Sequence, residues 1–169
     1  MRFQRVHIIG GAGSGKTTLA KTYAESIAIA HHELDNLYYI EASARTKRDM
    51  SARKVMLREI TDTERWVVEG IFWQPWIQPS LDRADKIVVL AVSRSTRNWR
   101  VIKRHFRLLA QASLKEYPRF FPTLLELLRH NKTYDEGPLQ ETLKMLEPYA
   151  DKVSVCRTNA EAIKVLEPD

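Results

Sequence analysis

The run "HIIGGAGSGKTTLA" at residues 7–20 leaves the chain few ways to fold. Gly10, four residues, then Gly15, Lys16 and Thr17 reproduce the spacing of a phosphate-binding loop, which fixes four positions at once. Each has a physical reason. Glycines allow positive φ and gather successive backbone N–H groups toward one point. The helix starting near Gly15 adds the positive end of its dipole. Gly11, Ala12, Gly13, Ser14, Gly15 and Thr18 are therefore expected to cradle phosphates. Lys16 reaches the β and γ phosphates, and the Thr17 hydroxyl ligates a bridging magnesium. The flanks agree: "FQRVHIIG" reads as a buried strand, and "KTTLAKTYAESIA" carries small or apolar residues at helical spacing.

Further strand-like runs follow at "IAHHEL" (29–34), "WVVEG" (66–70), "KIVVLAV" (86–92) and "KVSVC" (152–156). Helical periods separate them in "RDMSARKVMLREI", "STRNWRVIKRHFRLLAQ" and "LQETLKMLEPY". Strands alternating with helices predict a parallel sheet covered on both faces, with ligands at the carboxyl ends of the strands. At 169 residues, without internal repeat or Gly/Ser/Pro-rich linker, residues 1–169 read as one domain. The chain is 44% hydrophobic and 28% charged, as soluble globular chains are. It has no run of 18 apolar residues and no apolar segment after Met1, so no membrane association is expected. The single Cys156 reads as a core residue in a reducing cytoplasm. A net charge of +6 suits an acidic partner: nucleotide, polyphosphate or nucleic acid.

The strand ends hold the next candidates. Asp35, just past the second strand in "HHELDNLYY", is placed to bind magnesium or accept a proton from an attacking hydroxyl, with Glu33 as its alternative. His31 and His32, neighbours on a strand, face opposite ways and read as structural or substrate-lining rather than as a metal pair. Glu69, ending the apolar run "WVVEG", is a magnesium candidate. Gly70 beside it allows close approach of an acceptor. Of the nearby tryptophans, Trp66 reads as core, while Trp73 and Trp76 are candidates for a pocket wall.

After the fourth strand, Arg97, Arg100, Arg104 and Arg107 follow at spacings of 3, 4 and 3 and share a helix face. Trp99, Ile102, Phe106 and Leu109 form an apolar stripe on the same helix. Ser93 to Lys132 holds ten Lys or Arg against two Glu. So much unpaired like charge calls for a bound anion, and Arg100 and Arg104 are the residues expected to close on a transferring phosphoryl group. A second basic cluster, Arg45, Lys47, Arg48 and Arg53, is placed to hold the acceptor's charge.

With "IIGGAGSGKTTLA", "HHELDNLYY", "WVVEGIFW" and "VVLAVSRSTRNWRVIKRHFR" in order along most of its length, the chain resembles the nucleoside-monophosphate-kinase branch of the P-loop NTPases. That branch includes adenylate, shikimate and gluconate kinases. Within it the likeness is to adenylate-kinase-related proteins of the DNA topology modulation type. The resemblance implies a three-layer α/β P-loop fold with five parallel strands and a helical lid insertion at about 94–138. It also implies an acceptor-binding segment at about 36–62, and ATP with Mg2+ as donor. Arg100 and Arg104 match the arginines at the lid's root, and Thr158 and Asn159, in "CRTNAEA", match the loop bordering adenine. The sequence departs from adenylate kinases after Glu69-Gly70, where no arginine follows for an acceptor phosphate, so the acceptor stays open. The expected function is transfer of the ATP γ-phosphoryl to a small nucleotide, nucleoside or hydroxylated metabolite by a cytoplasmic monomer or homodimer. The alternative is an ATP-binding regulatory protein that contacts nucleic acid.

Overall fold

The computed structural model describes residues 2–41, 46–110 and 117–167. The apolar run before the glycine-rich loop forms β1 (Arg5–Gly10), the central strand of a parallel sheet. Its neighbours are β2 (His31–Glu33), β5 (Trp66–Gly70), β6 (Lys86–Leu90) and β7 (Val153–Cys156), in the order β2-β5-β1-β6-β7. A short antiparallel pair, β3 (Tyr39–Glu41) with β4 (Thr46–Lys47), stands apart.

Helices cover both faces, which is why β5 and β6 are nearly continuous apolar runs. Val6 and Ile8 of β1 point into one core with Leu19, Tyr23, Val88 and Ala162, beneath α1 (Lys16–Ser26) and α8 (Asn159–Leu166). Ile9 belongs to the opposite core with Trp66, Val68, Val89, Leu57 of α3 (Met50–Thr61) and Leu81 of α4 (Gln78–Arg83). His7 lies on that second face, buried, with Nδ1 2.9 Å from the Ser80 hydroxyl. Burial holds the imidazole neutral, its pKa lowered to about 3. Cys156 is a buried core residue, as its apolar context predicts.

The parallel register aligns the strand ends that matter. Ile9 pairs with Gly70, Gly10 with Leu90, and Glu33 with Glu69, so the glycine-rich loop, Glu33 and Glu69 share one rim. The second strand begins two residues later than "IAHHEL" predicts, and Leu34 opens a short helix, α2 (Leu34–Tyr38). Close packing explains the early turn: a Cβ on Gly70 would lie 2.9 Å from the Leu34 Cβ, so only glycine ends β5 under this helix.

A helical insertion follows β6, made of α5 (Arg94–Leu109), α6 (Tyr117–Tyr134) and α7 (Pro138–Met145). The Ser93 hydroxyl caps α5 by accepting from the Thr96 N–H. The apolar stripe expected on α5 is only half buried: Ile102 and Leu109 pack inward with Val101 and Leu124, but Trp99 is 64% exposed and Phe106 52%. The inward positions are Arg97, Val101 and His105. Electrostatics chose that face. Arg97 is fully buried, yet its guanidinium donates to Asp135 at 2.7 and 3.0 Å and to the Val92 and Asn131 carbonyls, so the buried charge is neutralised. It also lies over the Tyr134 ring, 4.9 Å from its centroid. Burial raises the Tyr134 hydroxyl to about 12.

Candidate active site

Helix α1 begins without a side-chain cap and without an acid in its first turn, whereas α3, α5 and α8 are capped by Asp49, Ser93 and Thr158. Its N-terminal N–H groups and dipole are thus left for an anion. Gly13 and Gly15 hold φ of +79° and +92°, the left-handed region where a side chain is strained. Each is also crowded: a Cβ on Gly13 would lie 2.5 Å from the Arg97 carbonyl oxygen, and one on Gly15 2.7 Å from the Asn159 amide. Gly11 packs on the Tyr134 ring, and Ser14 is buried. The Arg97–Asp135 pair, through Tyr134 and the Arg97 backbone, therefore buttresses the loop from beneath.

A cleft of about 190 Å³ opens on the loop, lined by Gly13, Gly15, Lys16, Thr17, Thr18, Arg100 and Arg104. At its floor the Thr17 hydroxyl donates to Glu69 Oε1 at 2.6 Å, and Lys16 Nζ lies 3.7 Å from Glu69 Oε2. Burial raises the Glu69 carboxyl above its ordinary value, a push that the Lys16 ammonium and the Thr17 hydrogen bond oppose. A hydroxyl and a carboxylate oxygen in contact are the donor types that a hard divalent cation takes.

At the cleft's other wall the Arg100 guanidinium donates to the Ser14 carbonyl at 2.8 Å, the Gly13 carbonyl at 3.4 Å and Asn159 Oδ1 at 3.0 Å. Asn159 in turn donates to the Gly15 carbonyl at 3.4 Å. It meets the loop through its side chain. Thr158 is occupied as the α8 cap. Beyond Arg100 and Asn159, a second hollow of about 270 Å³ is lined by Thr18, Leu19, Thr22 and Ile163, apolar enough to receive a flat ring.

Lys16 also lines a larger cavity of about 420 Å³ on the opposite side, together with Ala12, Asp35, Tyr39, Ile71, Glu126, Leu127 and His130. Asp35 sits in the first turn of α2, and burial raises its carboxyl pKa while the Lys16 charge opposes the shift. A carboxylate held above its ordinary range is a better base toward a hydroxyl. Glu126, Leu127 and His130 come from α6, a wall for which the sequence held no readable signal.

Other sequence candidates lie elsewhere. Arg97, grouped with the anion-facing arginines, is the buried structural partner of Asp135. Trp76, a proposed pocket wall, is fully buried against Phe72, with ring centroids 5.1 Å apart. Trp73 is half-buried and does not line the large cavity. Gly70 is buried against Leu34 rather than lining it. Arg48 donates to the Leu37 and Tyr39 carbonyls, fastening the β3–β4 pair to α2, and Arg53 stacks 4.0 Å from the Tyr38 ring centroid. Arg45 lies outside the described residues. One constellation escaped the sequence reading: one ligand atom from each of His31, Glu33 and Glu69 lies within 4.8 Å of the others. The signal was there, since residues i and i+2 of a strand share a face.

No protein-family model matches the chain. Over 104 residues, 62% of its length, it is 24% identical to an uncharacterized protein, YqaC, of Bacillus subtilis (strain 168), and the match takes in 58% of that protein. Its fold is similar to that of a shikimate kinase from Acinetobacter baumannii, solved in complex with shikimate, with a TM-score of 0.53 and 16% identity over 96% of this chain and 92% of that one. A gluconokinase from Sinorhizobium meliloti 1021 aligns with a TM-score of 0.51 and 19% identity, covering 98% of this chain and 91% of the other. These likenesses and the strand order establish the three-layer α/β P-loop fold. Among the described residues no helix is long and apolar enough to cross a membrane.

Proposed function

We propose that the protein is an ATP-dependent phosphotransferase acting on a small hydroxylated acceptor. The observation that carries this reading is the position of Lys16. Lys16 lines both the phosphate cleft and the cavity that holds Asp35, so a γ-phosphoryl bound at Lys16 would face an acceptor hydroxyl bound at Asp35.

The loop amides and the α1 N-terminus bind the β and γ phosphates, and Lys16 neutralises charge on the transferring group. Arg100 and Arg104 close the cleft from α5. Arg100 is already fixed on the loop carbonyls and Asn159, so less ordering remains to be done when nucleotide binds. The hollow between Arg100 and Ile163 receives the base, with Asn159 at its edge. Asp35 takes the proton from the acceptor hydroxyl as the new P–O bond forms and the bond to the β-phosphate oxygen breaks, with ADP leaving. Thr17 and Glu69, with Asp35 nearby, are the residues that would hold Mg2+, which would withdraw charge from the phosphates.

ADP release from ATP and Mg2+ tests the reading, run with a panel of sugars, hydroxy acids, nucleosides and nucleoside monophosphates and with Lys16→Ala as control. Acceptor-stimulated release that disappears in Lys16→Ala is the expected result. Release that no member of the panel raises above the control would contradict it.

A further inference from the structure

His31, Glu33 and Glu69 form a constellation of which the phosphotransferase reading uses only Glu69. His31 and Glu33 are i and i+2 on β2, and the parallel register sets Glu33 directly beside Glu69 of β5, so the three side chains meet on the α1 side of the sheet. Two carboxylates this close repel one another, and each borrows a cation from α1: Lys16 stands 3.7 Å from Glu69 and Lys21 3.6 Å from Glu33. The imidazole does nothing comparable. His31 is 12% exposed, its Nε2 is buried without a hydrogen-bond partner among the described residues, and that nitrogen points at Glu69 Oε1 from 3.9 Å. The two lysines offset the carboxylate charge, but a buried imidazole nitrogen 3.9 Å from a carboxylate oxygen and bonded to nothing leaves one cost unexplained, an unsatisfied polar atom. A divalent cation among the three groups removes it.

We propose that His31, Glu33 and Glu69 bind a first-row transition-metal dication, such as Mn2+, Co2+ or Zn2+, in the absence of nucleotide, with His31 Nε2 as a direct ligand. The donor set argues for the class of metal. Mg2+ takes oxygen and keeps its waters, whereas one imidazole with two carboxylates is a donor set that transition-metal dications accept. The adjacent Thr17 hydroxyl, bonded to Glu69 Oε1, links this site to the floor of the phosphate cleft without supplying the nitrogen donor. All three ligands belong to this chain, so the proposal does not rest on the phosphotransferase reading.

The test uses the full chain, free of nucleotide, with Mn2+ as the probe. Loss of the free-ion paramagnetic resonance signal counts bound Mn2+, and electron spin echo modulation detects a directly bound imidazole nitrogen. One Mn2+ per chain with nitrogen modulation is expected, with binding weakened about tenfold or more in His31→Gln and in Glu33→Gln. Mg2+ should compete at least about tenfold less well than Mn2+. Absence of saturable binding, bound Mn2+ without nitrogen modulation, or unchanged affinity in His31→Gln would overturn the proposal. The echo measurement on the unaltered protein decides the matter even where a variant does not fold. Acceptor-stimulated ADP release lost in Lys16→Ala, beside Mn2+ without a nitrogen ligand, would remove this proposal and leave the phosphotransferase reading standing.

Discussion

The two cavities that meet at Lys16 are built in opposite ways. The proposed donor side rests mostly on one short stretch, Gly13 and Gly15 to Thr18, whose backbone and helix terminus face the cleft, and only Arg100 and Arg104 reach it from elsewhere in the chain. The proposed acceptor side is gathered from Asp35 and Tyr39, Ile71, and Glu126 to His130, three segments far apart in the chain that meet only after α6 has docked. Backbone groups cannot be substituted away, so the donor side is tied to one chemistry. Side chains from distant helices can change singly, so the acceptor side is where a common fold takes up new substrates.

The largest effect should come from the residue the two sides share. Lys16→Ala removes the main charge on the transferring group and is expected to lower turnover about a thousandfold while weakening nucleotide binding, as steady-state kinetics and calorimetry would show. Asp35→Asn separates the sides. Turnover should fall about a hundredfold or more with ATP affinity unchanged, and an equal loss of ATP affinity would place Asp35 on the donor side instead.

The buttress between the sides gives an asymmetric pair. Asp135→Ala leaves the fully buried Arg97 charge without its carboxylate and should cost about 3 kcal/mol or more in denaturant unfolding. Arg97→Met leaves Asp135 40% exposed and able to hydrate, and should cost clearly less. Equal costs would mean that shape rather than charge holds α6 against the loop.

Glu69→Gln probes the floor of the cleft. The folded state holds the Glu69 proton more tightly than the unfolded chain does, so native stability falls as pH rises from the ordinary carboxylate range through the raised folded value, and stays lower above it. Glutamine removes that loss and still accepts from Thr17. The variant should melt about 2 °C or more above the parent near pH 8 and converge with it in acid, with phosphoryl transfer impaired. The smallest effect is expected from Arg48→Ala, which should loosen the β3–β4 pair and leave the acceptor KM essentially unchanged.

These contrasts follow what could be read from the residues. The sheet, its helices and the phosphate loop were legible because they are written locally, in strand and helix periods and in a fixed glycine spacing. The placements of Glu69 and Asp35 near the rim followed from the rule that ligands sit at strand ends. Arg97 misled because spacing alone cannot tell a solvated arginine from one neutralised by a carboxylate 38 residues later. Trp99 and Phe106 misled for the complementary reason, since the face α5 buries was settled by that ion pair rather than by its apolar stripe. The α6 wall of the acceptor cavity carries no local signal at all. The His31–Glu33–Glu69 group was readable only in part, as an i, i+2 pair whose third member depends on the β2–β5 register.

The most direct measurement follows the γ-phosphorus itself. Phosphorus NMR of ATP, Mg2+ and the acceptor panel should show a new phosphomonoester resonance growing as ADP appears, with neither in Lys16→Ala. ATP that stays intact, or that yields only inorganic phosphate at the same rate with and without acceptor, would contradict the claim that Lys16 joins a donor site to an acceptor site.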